Sequence, residues 1–159
     1  MGMDGIIAET TDLAIGYRNR KRVATVMKGL TLRARHGELV ALIGRNGTGK
    51  STLLRTLAGI QPSLAGEILI EGSPLSGLGA ARLPRMVSFV STEPVALRNI
   101  RVRDVVALGR FPYTNWIGTL TKEDNEVVES ALEATGIAGL AGRSIDSISD
   151  GEKQRTLVA

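Results

Sequence analysis

The sequence predicts an α/β fold, in which a buried parallel strand leads into a helix and an antiparallel β sub-sheet and a helical lobe flank this core. Three observations support the prediction. Residues 39–43 form a continuous apolar run that is followed by a glycine-rich turn and by residues 52–58, whose leucines recur at helical spacing. Segments rich in β-branched and apolar residues lie on either side of this unit. After about residue 95 the pattern becomes helical.

The antiparallel sub-sheet is predicted from three strand-like segments. Residues 6–17 and 23–34 flank the basic run 18–22, which we interpret as a solvated hairpin loop. Residues 67–71 follow the turn signal Gln-Pro-Ser and provide the third strand. A second short apolar run, residues 86–90, predicts another strand of the core.

The helical lobe is predicted from two segments. Residues 103–108 indicate a short helix that is closed by Gly109. A longer helix begins at Thr121, where Thr-Lys-Glu-Asp has the form of a capping box, and it ends at Gly136. We therefore divide the chain into residues 1–94 (sub-sheet and core), 95–148 (helical lobe) and 149–159 (start of a following helix).

Composition limits the chemistry that the chain can perform. It has no cysteine and a single histidine, His36, so disulfides, thiolate metal sites and Cys or His nucleophiles are excluded or nearly so. No apolar run approaches the ~18 residues of a membrane span and no signal peptide is recognisable, so we expect a soluble chain that is not exported. The net charge of +4 indicates an anionic partner, and nucleic acid, anionic lipid headgroups and a nucleotide all fit this charge. Aromatic residues make up only 3%, so the chain has no stacking platform for single-stranded nucleic acid, and we expect no nucleic acid partner.

The glycine-rich turn carries the strongest motif. It matches G-x-x-x-x-G-K-[ST] in full and lies between a predicted strand and a predicted helix, which predicts a P-loop NTPase core. Its backbone N–H groups wrap phosphates, Lys50 reaches the β- and γ-phosphates, and the Ser51 hydroxyl ligates Mg²⁺. The predicted nucleotide-binding residues of this segment are Gly44, Arg45, Asn46, Gly47, Thr48, Gly49, Lys50, Ser51 and Thr52.

A second motif narrows the class of nucleotide-binding protein. Residues 149–155 resemble the signature motif of ATP-binding-cassette (ABC) proteins, usually Leu-Ser-Gly-Gly-Gln, with Asp150 in the first Gly place and Glu152 in the Gln place. The resemblance implies that Ser149, Gly151 and Glu152 belong to an ATP site shared with the opposite protomer. Ser149 and Glu152 also have the spacing of an ordinary capping box, which is compatible with this role.

The N-terminal half adds two further resemblances. Residues 13–17, 27–30 and 37–42 resemble the opening of the cassette, which implies that Tyr17 stacks on adenine; the alternative is an ordinary strand residue. In the family a strand corresponding to residues 87–90 is followed by Pro-Gln. Thr92 aligns with that Gln, which implies that Thr92 is a second Mg²⁺ ligand, unless Glu93 replaces it.

Residues 104–113 resemble the V-x-x-G-R-x-P-[YH] stretch of the cassette ATPases that serve ferric-siderophore, haem and cobalamin importers; a Gly-Pro helix stop is the alternative. The resemblance implies a subunit that couples hydrolysis of ATP, with Mg²⁺, to uptake of an iron chelate or cobalamin. It also implies a homodimer that works with permease subunits on the cytoplasmic, inner face of the cell membrane. Because residues 92–100 lead from the nucleotide site into the helical lobe, we expect this segment and the lobe to dock on a permease. Phe111, Tyr113 and Trp116 suit such a contact, and the alternative is that they form the lobe's own small core.

The resemblance stops soon after the signature. Eight residues follow Gly151, whereas the second acidic strand, the catalytic Glu and the switch His of the family come later, so we expect a cassette that is incomplete at the C-terminus and binds ATP without hydrolysing it. Two alternatives stay open. One is a soluble ABC ATPase of translation or DNA repair, and the other is a nucleotide-binding module alone.

Overall fold

A computed structural model of the chain describes residues 5–20, 22–91, 98–115 and 117–159. The chain divides into two compact units, Met1–Phe89 and Val90–Ala159. The first unit contains the sheet and the glycine-rich loop, and the second is helical.

The first unit is built around a long central strand. The strands are β1 (Ile6–Asn19), β2 (Arg22–Leu30), β3 (Arg33–Arg35), β4 (Ala65–Ile70) and β5 (Ser73–Pro74). Their order is β2-β1-β4-β5, β3 also pairs with β1, and every pair is antiparallel. The antiparallel sub-sheet is thus confirmed, whereas the hairpin loop predicted at 18–22 is shorter than expected, because Arg18, Asn19 and Arg22 pair within β1 and β2.

The predicted strand at 23–34 is two strands, β2 and β3, because the ladder breaks between them. The buried side chain of Thr10 bridges the break: its Oγ1 donates to the Leu30 carbonyl at 3.0 Å and accepts from the Leu32 N–H at 3.0 Å. A side-chain hydroxyl thereby satisfies backbone groups that the ladder leaves over.

One face of the sheet is covered by helices. Helix α1 spans Lys50–Leu57, a 3₁₀ turn spans Leu75–Gly77, and α2 spans Leu83–Met86. Because α1 is amphipathic, it places one apolar side against the strands. The buried apolar residues of this unit are Leu13, Ile15, Leu53, Ile68, Ile70 and Leu78.

Two predicted core strands are absent, so these two predictions were wrong for the chain as it stands. Residues 39–43 form no strand, and the side chains of Leu39 and Ile43 are 97% and 90% exposed. Residues 87–90 are not in a strand either, and Met86, the first residue of the predicted strand, is the last residue of α2. The reason is physical: a central parallel strand is held by neighbours on both sides, and in the described parts of the chain no strand pairs with either segment.

The second unit is a small helical core. Helix α3 spans Val102–Leu108, α4 spans Lys122–Ala134 and α5 spans Asp150–Val158, with 3₁₀ turns at Phe111–Tyr113, Ala138–Leu140 and Ile145–Ser147. The two predicted helices of the lobe and the capping box at Thr121 are confirmed. None of the helices in the described ranges is long and apolar enough to cross a membrane. The buried apolar residues of this second unit are Val102, Val105, Val106, Val128, Leu132, Ile137, Ile145 and Ile148.

Candidate functional site

The glycine-rich loop lies at the N-terminus of α1, and Gly49 is the residue that caps this helix. Gly49 has a φ of 97°, a conformation that L side chains rarely adopt, and a Cβ atom here would overlap Cγ1 of Val26. The loop is thus packed against β2 at its last glycine. This close approach requires glycine at position 49 for two independent reasons, backbone conformation and space.

The loop folds around the ammonium group of Lys50. Lys50 Nζ donates to the carbonyl oxygens of Gly44 at 2.7 Å and Arg45 at 2.8 Å. The Thr48 hydroxyl donates to the same Arg45 carbonyl at 2.9 Å. The first turn of α1 and the loop therefore present a cation, together with the positive end of a helix dipole, at an exposed surface. This combination favours an anion such as a phosphate group.

Ser51 is the first-turn residue of α1 that could contact a metal ion. Its side chain is exposed, next to Lys50 in the sequence. Within the described ranges there is no cluster of three or more His, Cys, Asp or Glu residues able to hold a metal by themselves. A hydroxyl beside a loop that favours phosphate fits Mg²⁺, which takes few protein ligands and completes its shell with phosphate oxygens and water.

Tyr17 meets α1 directly. The tyrosine lies in β1 with 52% of its surface exposed, and its hydroxyl is hydrogen-bonded to Thr52 Oγ1 at 3.0 Å. Thr52 is only 6% exposed and follows Ser51 in the helix. The structure therefore brings the aromatic ring of Tyr17 to the helix that begins at the glycine-rich loop, a contact that sequence reasoning did not identify.

In the second unit Ser149 and Glu152 form a complete capping box. The Ser149 N–H and hydroxyl both donate to Glu152 Oε2 at 2.7 Å, and the Glu152 N–H donates to Ser149 Oγ at 3.4 Å. These hydrogen bonds, first that of the hydroxyl and then that of the N–H, lower the pKa of Glu152. Glu152 is thus ionised at neutral pH, and its negative charge lies against the hydroxyl of Ser149.

Neighbouring residues complete this helix end. Gly151 is exposed, and a Cβ atom there would meet nothing within 4 Å. Asp150 Oδ1 accepts a hydrogen bond from Lys153 Nζ at 3.0 Å. The N-terminus of α5 is therefore open to a partner but carries two carboxylates in its first turn.

An ion pair that the sequence analysis missed organises the G-R-x-P stretch. Arg110 Nε and a terminal guanidinium nitrogen lie 2.9 and 2.8 Å from Asp124 Oδ1, and the guanidinium carbon lies 4.1 Å from the centroid of the Tyr113 ring. Asp124 Oδ2 accepts from the N–H and hydroxyl of Thr121 at 2.9 and 2.7 Å. The hydrogen bonds from Thr121, then that from Arg110, lower the pKa of Asp124 to about 2. The sequence did point to both residues separately, since Arg110 belongs to the G-R-x-P stretch and Asp124 to the capping box, but it did not indicate that they pair.

The structure thus assembles the predicted residues in two groups. Tyr17, residues 44–51 and Thr52 lie around the start of α1 in the first unit, whereas Ser149, Gly151 and Glu152 lie at the start of α5 in the second. Thr92, Glu93 and Trp116 lie outside the described residues, so their predicted roles have no structural counterpart here.

Comparison with known proteins is consistent with this arrangement. The ABC transporter family matches residues 27–159. A protein of Bacillus subtilis (strain 168) named "Probable siderophore transport system ATP-binding protein YusV" is 38% identical over 159 residues, which cover 100% of this chain and 56% of the relative. The ferric enterobactin transport ATP-binding protein FepC of Escherichia coli (strain K12) is 36% identical over 147 residues, which cover 92% and 53%.

Solved structures agree with the fold. A structure described as the ATP binding subunit of an ABC transporter superposes with a TM-score of 0.76 at 25% identity, covering 96% of this chain and 60% of that one. The chain spans about half the length of the curated relatives it matches.

Proposed function

Because this chain belongs to the ABC transporter family, we propose that its protein is the ATP-binding subunit of an importer and couples ATP hydrolysis to uptake of an iron chelate or cobalamin. The observation that carries the proposal is the loop of residues 44–51 wrapped around Lys50 at the start of α1, with Tyr17 tied to the same helix. Transport is favoured over a soluble ATPase of translation or DNA repair, since the relatives reported above are both named as transport proteins.

The residues of the first unit divide the work of binding ATP. Lys50 exchanges its two carbonyl contacts for the β- and γ-phosphate oxygens, whose charge it neutralises. The loop N–H groups and the helix dipole orient the same oxygens. Ser51 would hold Mg²⁺, which when bound would neutralise phosphate charge. Tyr17 provides a stacking surface for adenine.

Titration with labelled ATP tests this proposal, using the protein expressed from the complete reading frame. One charge-assisted contact contributes about 1.5 to 3 kcal/mol. Lys50→Ala should therefore weaken binding by roughly ten- to a hundredfold. Lys28→Ala is the matched control, because Lys28 is an exposed lysine of the same unit that lies in β2, and its affinity should equal that of the wild type. Equal affinity of Lys50→Ala and Lys28→Ala would refute the assignment of the loop.

We further propose that the signature helix acts across a homodimer. Ser149 and Gly151 lie at an exposed helix N-terminus, the kind of site that can bind a phosphate group of the ATP held by a partner protomer. Ser149→Ala should leave ATP binding by the monomer intact but abolish ATP-dependent dimerisation in a variant deficient in hydrolysis. Sedimentation velocity with and without ATP distinguishes monomers from ATP-dependent dimers. Dimers that persist in Ser149→Ala would contradict a role in trans.

The second unit carries an exposed apolar surface that suits a permease partner. Leu108, Phe111, Tyr113 and Ile117 are 54%, 69%, 46% and 67% exposed. Aromatic residues are favoured anchors at the centres of interfaces. Docking there would hold the protein on the cytoplasmic face of the membrane, where both permease and ATP are accessible.

Cysteine crosslinking tests this contact, since the chain has no cysteine of its own. We expect Phe111→Cys and Ile117→Cys to crosslink to a cysteine in a cytoplasmic loop of a candidate permease. Glu133→Cys is the control, because it places an exposed cysteine at the far end of α4. Crosslinks from Glu133→Cys alone, or from no position, would remove this surface from the proposal and leave a non-transport ATPase as the better account.

A further inference from the structure

The ring of Tyr17 is half exposed, yet its far end is anchored. Its hydroxyl shares a 3.0 Å hydrogen bond with Thr52 Oγ1, and Thr52 is 6% exposed inside α1. Thr52 is itself held, since its carbonyl accepts the Thr56 hydroxyl at 2.8 Å within the helix. An exposed tyrosine is ordinarily free to change rotamer, whereas this one is fixed at its tip by a buried partner.

The backbone end of the tyrosine is fixed as well. The Gly16 carbonyl accepts a hydrogen bond from Gln61 Nε2 at 2.5 Å. A Cβ atom at Gly16 would overlap the Ala24 carbonyl of β2, which shows how closely the two strands approach at this point. Tyr17 is therefore held at its backbone by the sheet and at its hydroxyl by α1, while about half of its surface stays exposed.

We infer that Thr52 is a positioning residue for the nucleotide base, because its hydroxyl holds the Tyr17 ring in the orientation that stacks on the base. This inference rests on the proposed function, namely ATP binding at the loop that precedes α1. Its physical basis is preorganisation: a ring that is already immobilised loses less rotational freedom when a ligand stacks on it. The competing role for the Thr52 hydroxyl is a direct contact with phosphate, and the two roles make opposite predictions for a ligand that has phosphates but no base.

Calorimetric titration with ATP and with inorganic tripolyphosphate separates these roles, again in the protein from the complete reading frame. Thr52→Val removes the hydroxyl and keeps the shape, so ATP should bind about two- to tenfold more weakly. Tripolyphosphate should bind as it does to the wild type. Thr52→Ser restores the hydroxyl and should restore ATP affinity.

Tyr17→Phe provides the second arm of the experiment. It keeps the stacking face but removes the same hydrogen bond from the other side, so its loss of ATP affinity should match that of Thr52→Val. The double variant Thr52→Val/Tyr17→Phe should bind ATP no more weakly than either single variant, since both remove one interaction. If Thr52→Val does not fold, as judged by thermal melting, Tyr17→Phe alone decides, because its deleted hydroxyl belongs to a half-exposed residue.

Two results would overturn the inference. One is an equal loss of ATP and tripolyphosphate affinity in Thr52→Val, which would assign the hydroxyl to phosphate. The other is unchanged ATP affinity in Tyr17→Phe. Failure of the proposed function is recognised separately, because wild-type protein that binds neither ligand, or Lys50→Ala that binds both normally, would remove ATP binding at this loop altogether.

Discussion

Replacement of Gly49 by alanine tests how the glycine-rich loop is held against the sheet. Gly49 has a φ of 97°, and a left-handed conformation costs a residue with a Cβ about 1–2 kcal/mol. The new methyl group would also overlap Cγ1 of Val26 in β2, and overpacking of this kind costs about 1–3 kcal/mol. We therefore expect Gly49→Ala to lower the free energy of unfolding by about 2–5 kcal/mol.

Gly47→Ala is the matched control, because the structure separates the two contributions. Gly47 lies in the same loop with a φ of 81°, but a Cβ atom there meets nothing within 4 Å. It should therefore lose only the conformational part, about 1–2 kcal/mol. Urea unfolding of both variants, with equal slopes, measures the difference that is due to the contact with Val26.

A double-mutant cycle identifies that contact. Val26→Ala makes room for the methyl group, so Gly49→Ala should be less destabilising in the Val26→Ala background than in the wild type. Equal free energies of unfolding for Gly49→Ala and Gly47→Ala, or additive effects of Gly49→Ala and Val26→Ala, would refute the packing described here.

Three further predictions concern the second unit. The pKa of Asp124 is lowered to about 2 from an ordinary 3.8, so the ionised carboxylate stabilises the fold above about pH 4 and this stabilisation is lost as the pH falls towards 2. Asp124→Asn should therefore flatten the acid side of a plot of Tm against pH. An unchanged acid side would contradict this prediction. Arg110→Lys loses the two guanidinium contacts with Asp124 and the contact with the face of the Tyr113 ring, so it should lower Tm. The double variant Arg110→Lys/Asp124→Asn should have a Tm only slightly below that of the lower single variant. Fully additive losses of Tm would contradict the pairing of Arg110 with Asp124. Glu152→Gln removes a charge from the hydroxyl expected to meet a phosphate, so it should strengthen ATP-dependent dimerisation in sedimentation; weaker dimerisation would show that the carboxylate assists the partner.

Features that depend on a few adjacent residues could be predicted from the sequence. The capping boxes at Thr121 and Ser149 form because each side chain reaches a backbone N–H three residues away, whatever lies beyond. The start of α1 just after the glycine-rich turn is local in the same sense. The β1–β2 hairpin joins two adjacent segments whose composition already indicated strands.

Features that depend on distant neighbours could not be predicted in this way. The apolar pattern of residues 39–43 indicates burial, but a strand also needs strands beside it, and no local pattern shows whether they are there. The hydrogen bond between Tyr17 and Thr52 exists because β1 passes beside α1, and the pair of Arg110 and Asp124 exists because a turn returns to the start of α4. In both cases the chain folds back across a separation that sequence spacing does not encode.

The position of β4 has a consequence for the order in which the first unit folds. β4 pairs with β1 only after the chain has passed through the glycine-rich loop and the whole of α1, so this segment is an excursion whose ends are joined by a non-local ladder. Closing such an excursion costs chain entropy before any contact offsets it, and topologies of this kind fold slowly. We therefore expect the glycine-rich loop to take its final conformation late in folding, when the β1–β4 ladder closes, while the β1–β2 hairpin forms early and independently of that ladder.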